Sequence, residues 1–536
     1  MRAENTPFNQ QNLLDKAIAY VAPGLAMKRM AQRGALAIGG GYTGARMDAS
    51  TLSRWMPRAG SATADIIRDL PMLRARSRDQ MRNAPVALGA LNTIVSNVVG
   101  TGLSYTPAVD GPALNLSPEQ VEAWSANTKR LFDIWAASLD VSLERRLNFY
   151  GVQDLGLRTM LESGDMICIT PRVGRDGGAP RLALQLVEAD RVCNRSSEPN
   201  TAVLIDGIEL SATTGETVAM HIARTHPGEA LGTVAEWDRV TTRGESTGRK
   251  NILHMFKVIR PGQVRGVPMI APILEPLKQL GRWTDAELNA AVVSSLFAVF
   301  VKMDPDAFDD MFDDKTKTAL IDKASNWSGD LESAQAVNLL PGEDIVTTQP
   351  GRPNPAFDPF WAAIVRQIGM ALELPYEVLT MHFQSSYSAA RAALLMAWKA
   401  FRSRRDMLST YFCQPVFELW LDDEVAEGRI SAPGYFASEL VRAAWRGAIW
   451  TGDGPGSIDP SKEVDAAQKR VDMGISTKEQ ESILHDGVSW RPKHEQRVKE
   501  IQAERDAGIY FPPAGRAAGD KPAPPAADEE AAVPAK

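Results

Sequence analysis

The side chains of this sequence that could do chemistry are few, and their spacing fits no reactive site well. Asp304, Asp306, Asp309, Asp310, Asp313 and Asp314 crowd one stretch, and carboxylates so placed can hold a divalent cation through oxygen ligands. The stretch lacks the glycine at position 6 and the glutamate at position 12 of a calcium loop, so a solvated acidic face is the favoured reading. His221, His226, His254, His382, His485 and His494 form no i, i+4 pair of the kind a helical zinc site uses, and His485 and Asp486 are merely adjacent. Gly39-Gly-Gly-Tyr-Thr-Gly lacks the Lys-Ser/Thr of a phosphate loop and follows no predicted strand. No Gly-x-Ser-x-Gly elbow occurs. Cys168, Cys193 and Cys413 are odd in number and far apart, which fits a reducing compartment and no disulfide framework or thiolate zinc site. These residues therefore predict no catalytic group, no metal and no cofactor.

Basic side chains leave a different possibility. Lys399, Arg402, Arg404 and Arg405 lie on one predicted helix. They read as an exposed helix face or, beside a channel, as contacts to phosphates that read no base sequence. Residues 1–82 are also basic, with Arg29, Arg33, Arg46, Arg54, Arg58, Arg68, Arg74, Arg76, Arg78 and Arg82 outnumbering the acids. A surface arm is the plain reading there and nucleic-acid contact the sharper one. The net charge of −7 argues against wholesale coating of DNA.

The elements that would position these groups are mostly helical. The 536 residues allow several domains and a large core, and 44% apolar with 23% charged residues is ordinary for a folded soluble chain. Helices are predicted over 83–99, with Pro85 in the first turn and Leu88, Leu91, Val95 and Val98 as its stripe, and from Ser117, whose spacing to Gln120 is a capping signature. A third covers 147–161. Residues 165–258 switch to short β-branched runs at 166–173, 181–188, 202–210, 217–223 and 251–259, an antiparallel sheet. Pro261, Gly262, Gly266, Pro268 and Pro272 then stiffen a turn that launches a helix apolar almost all round from Ala286 to Val301. Such a helix must be buried on nearly every side, and it is short for a bilayer. Its run Leu288–Val301, including Leu296, Phe297 and Phe300, is expected to pack against neighbouring copies. The acidic module follows, with a helix at 315–325 and strands at 337–340 and 344–347 around Pro341-Gly342. Residues 355–374 form another helix. His382, Phe383, Gln384, Ser385, Ser386, Tyr387 and Ser388 read as a polar loop, with Ser388 able to cap the long helix 389–421, which is broken near Pro415. Residues 422–508 are helical and charged, and the Pro-, Ala- and acid-rich end reads as disordered. The tryptophans recur at apolar helix positions and suit core packing. The fold class is thus α+β, mainly α.

Several of these segments, taken in order, resemble a known family. They are Arg78-Asp-Gln-Met-Arg-Asn-Ala-Pro-Val-Ala through Val98-Val-Gly-Thr-Gly-Leu, Gly164-Asp165, Leu186-Val-Glu-Ala-Asp-Arg-Val and Arg260-Pro-Gly-Gln-Val-Arg-Gly-Val-Pro. Asp285-Ala-Glu-Leu-Asn-Ala-Ala, Leu374-Pro-Tyr-Glu-Val-Leu-Thr and Ser385-Ser-Tyr-Ser-Ala-Ala-Arg-Ala-Ala-Leu-Leu, with Trp398 and Phe401-Arg, complete the set. The chain resembles, over about residues 74–500, the lambda-type portal proteins of tailed bacteriophages.

That resemblance implies a homo-oligomeric ring, usually of twelve subunits, at a capsid vertex, through which double-stranded DNA is packaged and ejected. Implied partners are the terminase large subunit, then head-completion and connector proteins, and the major capsid protein. It implies a non-enzymatic virion protein with no membrane and no cofactor. Carried over by segment, 1–73 is a basic arm, 74–271 the wing, 272–303 a stem helix and 304–354 the clip with its acidic patch. Residues 355–381 are the second stem helix and turn, 382–388 the channel-lining tunnel loop, 389–421 the long helix, 422–508 the crown and 509–536 a tail. Lys399, Arg402 and Arg405 become candidate contacts to the DNA backbone. Two other readings stand beside it: a metal-dependent nucleic-acid-processing enzyme using the Asp-rich module, and a capsid or scaffold subunit that forms shells.

Overall fold

The computed structural model describes residues 18, 20–25, 45, 51–52, 54–57, 59–175, 177–229, 236–295, 299–303, 313–325, 343–347, 356–384, 386–455 and 459–510. Two units divide the chain, Met1–Ser61 and Ala62–Lys536. Few residues of the first are described, and of these Tyr20, Val21 and Leu25 are exposed. The 73/74 boundary that the resemblance implies falls inside the second unit, within the helix that begins at Leu70.

The second unit opens with α1 (Ala62–Ile67), α2 (Leu70–Asn83) and α3 (Pro85–Val98). Pro71 and Pro85 sit in first turns, where the missing N–H costs nothing. Helix α3 buries Ala87, Ala90, Leu91, Ile94, Val95 and Val98, one stripe at helical spacing, while Leu88 turns outward at 41% exposed. Strand β1 (Ser104–Pro107) leads to α4 (Pro118–Ala137) and α5 (Phe149–Ser163). The capping box of α4 forms: Gln120 N donates to Ser117 Oγ at 3.3 Å and Ser117 N donates to Gln120 Oε1 at 2.9 Å.

The β region holds β2 (Asp165–Ile169), β3 (Gln185–Val187), β4 (Leu204–Ile205), β5 (Ile208–Leu210), β6 (Thr217–Ala223), β7 (Trp237–Thr241) and β8 (Ile252–Phe256). Antiparallel pairing gives the orders β8-β2-β3 and β4-β5-β6-β7. Strand β7 escaped the sequence because Asp238 and Arg239 interrupt its apolar pattern.

Helix α6 (Leu274–Ser295) buries Leu274, Leu277 and Leu280, and Trp283 packs on Phe357 and Phe360, each at 4.7 Å between ring centroids. The helix expected to reach Val301 ends at Ser295 instead. Val299–Met303 is strand β9, paired antiparallel with β10 (Glu343–Thr347), from Val299↔Thr347 to Met303↔Glu343. The β-branched and aromatic residues Val299, Phe300 and Val301 suit a pleated ladder, and a short apolar run alone does not distinguish helix from strand. Phe300 therefore lies in a strand, not the stem helix, and Leu296 and Phe297 lie outside the described residues. Nor is α6 buried all round: Leu288 is 63% and Val292 54% exposed. Between the paired strands sits α7 (Asp314–Ser325). The expected strand 337–340 lies outside the described residues.

Helices α8 (Phe357–Leu372) and α9 (Tyr376–Thr380) lead to α10 (Tyr387–Leu408), a π turn at Ser409–Cys413 and α11 (Gln414–Ala426). Pro415 supplies no N–H, and the ladder widens just before it, so the expected break is a π turn within a continuing helix. After α12 (Glu439–Trp445), β11 (Ala448–Thr451) pairs with β1 in the register Ser104↔Thr451. Trp450 thereby joins Tyr105, Phe132, Phe149, Phe417 and Trp420 in one aromatic core. Trp445 joins the main core and Trp450 packs against it. The final helices, α13 (Pro460–Asp472), α14 (Lys478–Asp486) and α15 (Trp490–Asp506), contain no buried residue. The 509–536 tail is described only at its first two residues, and its expected disorder lies outside the described residues. No described helix is long and apolar enough to cross a membrane.

Candidate functional site

Four of the segments that carried the resemblance meet at one buried charge cluster. Asp165, at the start of β2, is fully buried, as is Arg265. Asp165 Oδ2 accepts from Arg265 Nε at 2.9 Å and Arg74 Nη2 at 2.6 Å. Its Oδ1 accepts from Gly266 N at 2.7 Å and lies 2.9 Å from His254 Nε2. Arg265 also donates to Asp206 Oδ2 (2.7 Å), Val192 O (2.9 Å) and Ala189 O (2.7 Å). Arg74 adds Ser163 O at 2.9 Å, and Arg78 pairs with Asp190. Burial opposes the Asp165 carboxylate, but Arg265, His254 and Arg74 outweigh it and hold its pKa well below the ordinary range. Burial and the Arg265 charge push Arg74 down to about 10.

Two glycines make this approach possible. Gly164 has φ 93°, and a Cβ on it would sit 2.6 Å from the Gly266 carbonyl carbon. A Cβ on Gly266 would meet Gly164 O at 1.9 Å, so two backbones cross where no side chain fits. The cluster has paired charges and holds helix α2, the start of β2 and the 260–268 turn in one register. Sequence reading quoted these segments but missed their meeting, and it gave Arg74, Asp206 and His254 no role here. The available signal was a charged residue beside a glycine twice over, Gly164-Asp165 and Arg265-Gly266.

The polar loop and its helix form the second region. Met381 ends α9 at φ 54°, and His382, Phe383 and Gln384 are exposed. Ser386, not Ser388, caps α10: its Oγ accepts from Ala389 N at 3.4 Å. Its extended backbone, ψ 154°, and free hydroxyl satisfy an orphan N–H, so the helix starts two residues early. Tyr387 and Ser388 are therefore first-turn residues, which shortens the expected 382–388 loop to 382–386. Ser385 lies outside the described residues.

The basic side chains of α10 divide into two kinds. Lys399 and Arg402 are exposed. Arg405, expected to meet phosphates, is committed to the interior: it donates to Val98 O (3.0 Å), Asn97 O (2.9 Å) and Asp453 O (3.0 Å) and lies over the Trp398 ring. Burial lowers its pKa. Arg404 likewise donates to Leu372 O at 3.0 Å and pairs with Glu373 at 3.1 Å. Replacing Arg405 with Met is expected to cost about 1.5–3 kcal/mol in a denaturant titration, since charged hydrogen bonds are lost and carbonyls orphaned. Lys399→Ala and Arg402→Ala are expected to stay within about 0.5 kcal/mol of the parent.

Of the acidic patch, Asp313 and Asp314 are exposed at the start of α7, where Asp313 accepts from Thr316 Oγ1. Asp306, Asp309 and Asp310 lie outside the described residues. Among the described residues no group of three His, Cys, Asp or Glu side chains gathers to hold a metal.

Comparison with known proteins converges on one family. The profile of the phage portal protein, lambda family, matches residues 48–405. The chain is similar to the portal protein of Escherichia phage N15, 25% identical over 505 residues that cover 90% of this chain and 92% of that protein. It is similar to portal protein B of Escherichia phage lambda, 22% identical over 486 residues, 87% of this chain and 90% of that protein. Among solved structures it aligns with the neck of a native GTA particle computed with C12 symmetry, at TM-score 0.41 and 13% identity, over 78% of this chain and 93% of that one. The virion of a native gene transfer agent particle aligns at TM-score 0.37 and 15% identity, over 73% and 93%. With the profile running from the first unit through the charge cluster, the paired strands and the long helix, the chain belongs to the lambda family of phage portal proteins, virion components at the capsid vertex.

Proposed function

We propose that twelve copies of this chain form a ring whose axial channel passes double-stranded DNA into the capsid during packaging and out again at infection. The ring seats against the major capsid protein, docks the terminase large subunit first, and later receives head-completion and connector proteins. Its role is structural and needs no cofactor. The observation that carries this reading is the family profile across residues 48–405, with relatives matched nearly from end to end.

The charge pattern suits a conduit. Duplex DNA carries one negative charge per about 1.7 Å of axis, so a strongly basic lumen would hold it. A chain of net charge −7 with isolated exposed cations such as Lys399 and Arg402 lets it slide. The loop 382–386, leading into α10, is our candidate for the channel constriction, and its described residues are exposed. Cross-linking tests this. Gln384→Cys is expected to cross-link to DNA stalled in the ring, because Gln384 is exposed and caps nothing. Labelling of that cysteine only on the outer surface, with no DNA contact, would overturn the loop's assignment.

The excursion between β9 and β10 is assigned as the clip. β9 and β10 bracket residues 304–342 with one antiparallel ladder that follows α6 in the chain, which supports reading the stretch as one inserted module. We assign wing to the sheets and α2–α5, stem to α6 and α8, and crown to α13–α15. Exchange of residues 304–342 for those of a relative is expected to preserve rings and abolish terminase binding in a pull-down. Unchanged binding would place the motor elsewhere.

A further inference from the structure

We propose that His226 is a proton-operated clasp: neutral, it closes the turn 226–229 over a cleft beside α2, and protonated, it releases that turn. The claim rests on which atoms face its two nitrogens. Gly228 N donates to His226 Nδ1 at 3.0 Å, and Glu229 N donates to His226 O at 3.0 Å, closing the turn. An N–H pointing at Nδ1 requires a lone pair there, so the neutral ring carries its proton on Nε2. Nε2 faces Glu188 Oε2 at 3.5 Å and Asp190 Oδ2 at 3.6 Å, contacts too long for good hydrogen bonds.

A second proton can only enter at Nδ1, where it meets the Gly228 N–H donor. Two donors then face each other and the hydrogen bond that shapes the turn is lost. The same proton makes the ring cationic, strengthening its attraction to Glu188 and Asp190. Asp190 is a firm anchor. It pairs with Arg74 at 3.4 Å and with Arg78, both from α2, and despite burial these cations hold its pKa below the ordinary carboxylate range. It therefore remains ionised while a histidine titrates. The other charged groups lining the cleft are Arg74, Arg78, Glu198, Asp206 and Glu229. The cleft has a volume of about 1060 Å³, and the turn forms part of its rim beside Trp237 and Pro71. Falling pH thus opens the rim from one side while the anchor stays in place.

Hydrogen–deuterium exchange on the full-length protein, from about pH 8 to about pH 5 and corrected for intrinsic rates, tests the clasp. Protection at 226–229 is expected to fall at least about tenfold across that range, while strand β6 holds its protection. His226→Asn, whose Oδ1 takes the place of Nδ1 and can accept from Gly228 N but cannot titrate, is expected to show no such fall. Unchanged protection in the parent, or the same fall in His226→Asn, would overturn the proposal.

Discussion

Arg265→Met is expected to destabilise the folded chain by about 3–5 kcal/mol, the range for breaking a buried ion pair by removing one partner. Arg265 is fully buried and bonds two carboxylates and the carbonyls of Ala189, Val192 and Asp206. Methionine fills much of the space but donates nothing, so those acceptors are stranded away from water. The urea midpoint should fall at unchanged slope. A loss under about 1 kcal/mol would show that the cluster is easily replaced. The same cluster sets an acid limit. Asp165 has a folded pKa held below its unfolded value, so between the two the unfolded chain binds the extra proton. Its stabilisation is complete above about pH 4 and is lost as pH falls further. Asp165→Asn should flatten that acid limb while lowering stability at neutral pH.

Leu288→Asp is expected to leave the subunit folded and to abolish ring formation. Leu288 is 63% exposed and Val292, one turn on, is 54% exposed, on the half of α6 that follows the Trp283 contact with α8. Water-facing side chains of this size gain about 1.5–3 kcal/mol each when buried, a gain multiplied at every interface of a ring. A carboxylate there reverses the sign without touching the subunit's own core. Size-exclusion chromatography with circular dichroism should report a monomer of normal helicity. Rings from Leu288→Asp would mean that this face packs elsewhere.

What was legible in the sequence was local. The Ser117–Gln120 box, Pro85 in the first turn of its helix and the helix expected over 315–325 follow from local residue preferences. The strands around Met166, Leu186 and Met220 follow from short apolar runs separated by Gly, Asp and Pro. What was hidden depended on distant partners. The β1–β11 ladder joins Ser104 to Thr451, and nothing near either announces the other. The run Leu288–Val301 is mostly apolar, broken only by Asn289, Ser294 and Ser295, and only the pairing with Glu343–Thr347 decides that its end is a strand. Arg405 shares a charge run with Lys399 and Arg402, yet α3 and Asp453 claim it. Ser388 was the expected cap of α10, and the geometry at Ala389 chooses Ser386. The charge cluster was visible only as separate segments, because its members come together from positions 74, 165, 206, 254 and 265.

Electron cryo-microscopy of the purified full-length chain tests the central claim most directly. A closed ring with an open axial channel is expected, with the loop 382–386 facing the axis, Leu288 at the boundary between subunits, and residues 304–342 projecting from one end. Monomers, closed shells, or rings with that loop on the outer surface would contradict it.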